Sequence, residues 1–133
     1  MSKSVFVVEP SRTIRTLLDI YFQREGHQVT IMASYTEARY ALSLSQFKTY
    51  SPEVVFLALH ASHPESYRLL EDVRWRYART FTRIVGMVVQ DERNHHKVRS
   101  LAQDEGIVLL LKPFRVQDAL ALVATPAALP PTR

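Results

Sequence analysis

The chain has 133 residues, 47% of them hydrophobic, which is enough for one globular domain with its own core. Its formal net charge of +4 rests on 17 basic residues, 13 of them arginine; this charge suits an acidic partner surface, although charges that only solvate helix faces give the same composition. The absence of cysteine excludes disulfides and thiolate metal sites. The sequence shows neither the apolar core of a signal peptide nor an apolar run near the ~20 residues that span a bilayer, so we expect a cytoplasmic protein with no membrane partner.

Apolar runs and helical patterns alternate from the start of the chain. The run Val5–Val8 predicts a buried strand. The helix after it is predicted to take Ser11 as its N-cap and to end at Gly26. Gln28–Ala33 then predicts a second strand, and apolar residues at helical spacing predict a helix over Tyr35–Phe47.

The same alternation continues through the second half. It predicts strands over Val54–Leu59, Ile84–Val89 and Ile107–Leu111. Between and after these strands it predicts helices over Glu65–Arg79, His95–Glu105 and Val116–Val123. We expect one domain over residues 1–124. Residues 125–133 are rich in alanine and proline, cannot continue a helix and are expected to form a tail or linker.

Five strands that alternate with five helices predict an α/β fold with a doubly wound parallel sheet. The right-handed crossover rule leaves few topologies, of which the flavodoxin-like order 2-1-3-4-5 is the commonest. That order places a crevice at the carboxyl ends of strands one and three. In this chain Glu9 and Ala58 mark those ends, and Lys112 follows strand five.

Three segments on this pattern resemble the receiver domain of bacterial response regulators over about residues 4–124. They are VVEPSRTIR at Val7–Arg15, PEVVFLA at Pro52–Ala58 and KPF at Lys112–Phe114. The resemblance implies a phosphorylation pocket and a switch residue. Carried over one by one, the metal-binding acidic pair falls on Glu9 and Pro10, the phosphoacceptor on Ala58, the hydroxyl on Val88, the lysine on Lys112 and the switch aromatic on Leu109.

Only Lys112 matches the family pattern in full, and Glu9 matches it in part. Magnesium requires oxygen ligands that Pro10 and Ala58 do not supply, so we expect no metal and no cofactor. Phosphoryl transfer depends on positioning and charge neutralisation, which these losses remove. The resemblance therefore implies a degenerate pseudo-receiver, not an enzyme, that acts by phosphorylation-independent protein–protein interaction. We expect Lys112 to pair with Glu9 across the crevice or to reach solvent.

Partner surfaces follow from the resemblance and from one tryptophan. The resemblance implies signalling partners, such as a histidine kinase or an output domain, and a homodimer through the fourth helix, fifth strand and fifth helix, with candidate contacts at Arg99, Gln103, Leu109, Arg115 and Asp118. At about 100° per residue, Trp75 lies opposite the apolar face of its helix. It is predicted either to contact a partner or to pack under a neighbouring helix or the Pro130-Pro131 segment.

Two other classes of function stay open. One is a nucleic-acid-binding regulator that uses exposed arginines and the tryptophan, namely Arg68, Arg74, Arg76, Arg79, Arg83 and Trp75. No reader motif supports it, so a nucleic-acid partner is not favoured. The other is a small-ligand-binding protein with a flavodoxin-like fold, for which no catalytic set is visible.

Overall fold

Five parallel strands form a single sheet in the computed structural model, which describes residues 2–44, 47, 49–104 and 106–125. The strands are β1 Ser4–Val8, β2 Gln28–Met32, β3 Val54–Leu59, β4 Arg83–Val89 and β5 Ile107–Lys112. Their spatial order is β2-β1-β3-β4-β5, which confirms the predicted α/β flavodoxin-like topology. The predicted tail lies beyond the described residues from position 126 onward.

A helix follows each strand, as the alternation predicts. The helices are α1 Arg12–Arg24, α2 Tyr35–Ser43, α3 Pro64–Arg76, α4 His96–Ala102 and α5 Val116–Ala124, and a short 3-10 turn covers Gln90–Glu92. Both predicted caps of α1 are confirmed. The Ser11 hydroxyl accepts a hydrogen bond from the Ile14 N–H at 3.4 Å, and Gly26 adopts φ +84° just after the helix.

Three helices are shorter than their apolar patterns predict, and a local hydrogen bond explains one of the ends. Helix α2 ends at Ser43, whose hydroxyl donates to the Tyr40 carbonyl at 2.6 Å, and Leu44 is extended with ψ 143°. Helix α3 ends at Arg76 instead of continuing to position 79, and the Thr80 hydroxyl donates to the carbonyl of Tyr77 in the turn that follows. Helix α4 starts one residue later than predicted and ends at Ala102.

The core lies on both faces of the sheet. Helices α1 and α5 cover one face, where Leu18, Phe22, Ala119 and Val123 pack with alternate strand residues. Helices α2, α3 and α4 cover the other face. All six residues of β3 are buried, because the strand lies mid-sheet under helices on both sides. Among the described residues, no helix is long and apolar enough to cross a membrane.

Candidate functional site

The carboxyl edge of the sheet holds a buried ion pair between Glu9 and Lys112. Glu9 directly follows β1 and is 1% exposed. Its Oε1 lies 2.5 Å from the Lys112 Nζ, and its Oε2 accepts from the Ser11 backbone N–H at 3.0 Å. A buried carboxylate is tolerated only when it is paired and hydrogen-bonded, and both oxygens meet that condition. Of the two alternatives expected for Lys112, the structure shows the pairing with Glu9.

The loop after β1 is held by an arginine of the helix that it precedes. Pro10 is exposed and carries no side-chain oxygen. The guanidinium of Arg15 donates to the carbonyls of Glu9 and Pro10, at 2.9 and 2.7 Å. These bonds satisfy two backbone acceptors and fix the position of the loop relative to α1.

Ala58 is the penultimate residue of β3 and is almost fully buried. Its methyl group belongs to the α1/α5 side of the core, with Val85 and Met87, and Met87 is its partner across the β3–β4 ladder. Its carbonyl accepts a hydrogen bond from the Tyr35 hydroxyl at 2.7 Å. The side chain at this position therefore offers no acceptor oxygen, and the backbone oxygen is already engaged.

Tyr35 brings a protonated phenol into the crevice. Burial, and then the negative charges of Glu9, Glu65 and Glu92, raise the pKa of Tyr35 well above its ordinary value of 10. Its hydroxyl therefore remains a donor to Ala58 at neutral pH. The sequence pattern predicts Tyr35 as the start of α2, but nothing local in it indicates a bond that spans 23 residues.

Val88 and Leu109 lie on the other side of the sheet from the Ala58 methyl group. Val88 is fully buried in the α2/α3/α4 side of the core, and Leu109 packs partly buried against the same cluster. Leu109 lies over Gly86, where its Cδ2 would be 3.3 Å from an added Cβ. The structure thus brings Glu9 and Lys112 together but does not bring the Val88 and Ala58 side chains into one apolar cluster.

The carboxylate of Glu92 joins the loops after β3 and β4, and we call its contacts with Ala61 and His60 the Glu92 clamp. Glu92, in the 3-10 turn, accepts from the Ala61 N–H at 2.7 Å, and its other oxygen lies 3.1 Å from the His60 Nδ1. The same His60 nitrogen lies 2.7 Å from the Ser62 hydroxyl. Sequence reasoning missed this clamp, since its members are about thirty residues apart and share no motif.

The donor set does not fit the magnesium ion that receiver domains bind. A Mg²⁺ site needs several oxygen ligands in near-octahedral geometry. Both oxygens of Glu9 are engaged, Pro10 and Ala58 have none on their side chains, and the Ala58 carbonyl is taken by Tyr35. Over the part of the chain that the structure describes, no group of three or more His, Cys, Asp or Glu residues could hold a metal.

The predicted partner residues are mostly at the surface. Trp75 is 87% exposed, so it does not pack under a neighbouring helix among the described residues. Arg99, Gln103 and Arg115 are exposed, and Arg115 lies 3.5 Å from Asp118, one helical turn away. Leu109 is the exception, because the core beside Gly86 covers part of it.

Arg74 and Arg76, two members of the predicted arginine set, make bonds within the molecule. Arg74 pairs with Asp104, and Arg76 donates to the carbonyls of Leu42 and Phe47. Both guanidinium groups hold α3 to neighbouring segments. This reduces the number of cations on α3 that could contact phosphates.

Comparisons with known proteins give matches of fold only. No protein-family model and no curated protein matches the chain. Among solved structures, the receiver domain of the Francisella response regulator 1452 is similar, with a TM-score of 0.69 and 19% identity over 92% of this chain and 93% of that one. The BeF3-activated receiver domain of nitrogen regulatory protein C gives a TM-score of 0.71 and 22% identity over 92% of both chains.

A longer protein also matches. NtrX from Brucella abortus, solved in complex with ATP, gives a TM-score of 0.69 and 22% identity over 93% of this chain and 26% of its own, so the chain spans about a quarter of NtrX. The matches to the two receiver domains cover more than nine-tenths of each chain, with TM-scores of 0.69 and 0.71. The chain therefore has the fold of response-regulator receiver domains.

Proposed function

We propose that this chain is a pseudo-receiver, a signalling module that acts through protein–protein contacts and does not accept a phosphoryl group. The observation that carries the proposal is the buried Glu9–Lys112 ion pair at a crevice where Ala58 stands at the acceptor position. In this module the charges of Glu9 and Lys112 neutralise each other. No incoming phosphoryl group is needed to balance Lys112.

Phosphoryl transfer to this crevice lacks three components. The transferred group needs an acceptor oxygen, a metal that neutralises its charge and donors that position it. Ala58 supplies no acceptor, and the oxygens around Glu9 do not fit magnesium. Val88 offers a buried methyl surface where the resemblance implies a hydroxyl. The chain is accordingly proposed to be no enzyme and to use no cofactor.

The loops of the crevice are tied down without a ligand. Lys112 holds the end of β5 to Glu9, Tyr35 holds α2 to β3, and Glu92 holds the β3–α3 loop to the turn after β4. A ligand shifts a conformational equilibrium only if it binds one state more tightly. With no site for phosphate, we propose a single fixed conformation in place of a two-state switch.

The partners proposed for this module are signalling proteins in the cytoplasm, such as a histidine kinase or an output domain. The outward residues Arg99, Gln103, Arg115 and Asp118 support an interface on the face formed by α4, β5 and α5. A homodimer through the same face is part of the proposal. Arginine-rich surfaces suit such contacts because guanidinium groups make bidentate bonds to carboxylates.

A nucleic-acid partner is less well supported, because Arg74 and Arg76 are engaged within the fold. Binding to DNA by this chain would fall steeply with salt, whereas a protein partner would not require that dependence.

The substitution Ala58→Asp tests whether the acceptor alone is missing. We expect neither the native protein nor the variant to gain the mass of a phosphoryl group after incubation with acetyl phosphate and Mg²⁺, because metal ligands and a hydroxyl are still lacking. Intact-mass spectrometry gives the readout. Ala58→Asn is the matched control for size, and a phosphorylatable receiver domain is the positive control. A stable phosphorylated product from Ala58→Asp, and not from Ala58→Asn, would contradict the proposal.

A further inference from the structure

A groove of about 660 Å³ separates α2 from α3 on the outer surface of the molecule. Two large aromatic side chains line it from opposite helices. Tyr40 on α2 is 66% exposed and Trp75 on α3 is 87% exposed. Apolar side chains of this size left in water on one surface mark a binding site more often than an isolated exposed residue does.

The groove is formed in advance of any ligand. Arg39 on α2 and Asp72 on α3 form a bond of 2.6 Å across it. Near the carboxyl-terminal ends of the two helices, Arg76 on α3 donates to the carbonyl of Leu42 on α2. Because these bonds hold the two helices together, little ordering cost remains for a ligand. Helices α2 and α3 also share the core beneath the groove.

The chemistry of the groove fits a proline-rich peptide. Grooves lined by tryptophan and tyrosine bind polyproline II segments, whose prolines pack flat on the rings and whose backbone needs no further ordering. This chain has a proline-rich sequence at residues 126–133, with prolines at 126, 130 and 131 and an apolar Leu129 beside them.

The reach of the segment favours a groove on a second molecule. The segment leaves α5 beside Lys3, whose Nζ bonds to the carbonyl of Val123 at 2.6 Å. Helix α5 covers the opposite face of the sheet from α2 and α3. The eight residues extend at most ~27 Å, whereas a path past the sheet and a helix layer, each roughly 10 Å thick, uses most of that length.

We propose that the proline-rich segment 126–133 of one copy docks in the α2–α3 groove of another copy. The contact is heterologous, since the segment and the groove are different surfaces, so each copy offers one of each. This surface is separate from the crevice at Glu9 and from the proposed face at α4, β5 and α5. The proposal does not depend on the absence of phosphorylation.

Two variants of this chain test the groove and the segment separately. Trp75→Ala removes the groove's main aromatic surface and keeps the segment, while the double variant Pro130→Ala with Pro131→Ala does the reverse. We expect concentration-dependent association of the native chain in sedimentation velocity, and association at least about tenfold weaker for each variant alone. Phe81→Ala is the matched control, since Phe81 is 58% exposed and lies outside the groove.

Mixing the two variants gives the decisive result. The proline double variant still has a groove and Trp75→Ala still has a segment. The mixture should therefore form a complex through this contact, in addition to any association through α4, β5 and α5 that each variant shows alone. Trp75 is the only tryptophan of the chain, so its emission in the proline double variant should shift to shorter wavelength on addition of Trp75→Ala protein. A native chain that stays monomeric, a mixture that stays dissociated, or Phe81→Ala weakening association as much as Trp75→Ala would each overturn the proposal.

Discussion

Glu9 carries its charge in a position that solvent hardly reaches, and the ammonium group of Lys112 compensates for the lost hydration. The side chain of Glu9 is 2% exposed and that of Lys112 is 16% exposed. A buried ion pair contributes little when compared with apolar residues of equal size, but losing one partner strands the other charge. The pair therefore fixes the geometry of the crevice more than it adds to stability.

The substitution Lys112→Met should lower the free energy of unfolding by about 2–4 kcal/mol, because it leaves the Glu9 carboxylate buried without its cation. Urea unfolding measures the change. The double variant Glu9→Gln with Lys112→Met removes both charges and should recover more than half of that loss. A double variant as unstable as Lys112→Met alone would show that the pair is not coupled.

At the level of the elements, the sequence predicted every strand and every helix but not every helix end. Strands and α1 carry their signals locally, in apolar runs, a serine cap and a glycine. The end of α2 depends on the Ser43 hydroxyl group, which competes with the helix for the Tyr40 carbonyl. The exposure of Trp75 was predictable, because the helical period alone places it opposite the buried face.

Close packing between β3, β4 and β5 depends on a glycine. A Cβ at Gly86 would lie 2.8 Å from the Leu59 Cδ1 and 3.3 Å from the Leu109 Cδ2. Gly86→Ala should therefore destabilise the protein by about 1–2 kcal/mol, as overpacking of a filled core does. Adding Leu59→Val, which shortens the nearer side chain, should restore part of the loss in urea unfolding. Equal stability of Gly86→Ala and the native protein would contradict this account of the Leu109 position.

For the whole molecule, the fold could be predicted because the alternation of strands and helices runs through the chain and few topologies satisfy it. That topology places Glu9 and Lys112 at the same edge of the sheet, and their pairing was one of two alternatives that this placement left open. The Tyr35–Ala58 bond and the Glu92 clamp did not, since they join distant segments through single side chains that could have pointed elsewhere. Long-range polar contacts of this kind have no periodic signal in a sequence.

Alkaline pH should destabilise the protein through Tyr35. Its pKa is raised by burial and by nearby carboxylates, so above pH ~10 the unfolded chain loses the phenolic proton while the folded chain keeps it. Its contribution is complete below that pH, and the unfolding free energy falls above it, at up to about 1.4 kcal/mol per pH unit. Urea unfolding from about pH 8 to about pH 11 should show a shallower decline for Tyr35→Phe than for the native protein. Tyr40→Phe, which removes the hydroxyl group of an exposed tyrosine on the same helix, is the control for the substitution itself.

The claim that the crevice is closed to phosphoryl chemistry is tested most directly by amide NMR. The native protein, labelled with ¹⁵N, is titrated with acetyl phosphate or beryllofluoride in the presence of Mg²⁺, beside a phosphorylatable receiver domain as positive control. We expect the spectrum of this chain to stay unchanged, because Lys112 is paired with Glu9 and the proposed function leaves the crevice without an acceptor or a metal. Shifts that cluster at Glu9, Val88 and Lys112 would show that the crevice binds the phosphoryl group, and would contradict the proposed function.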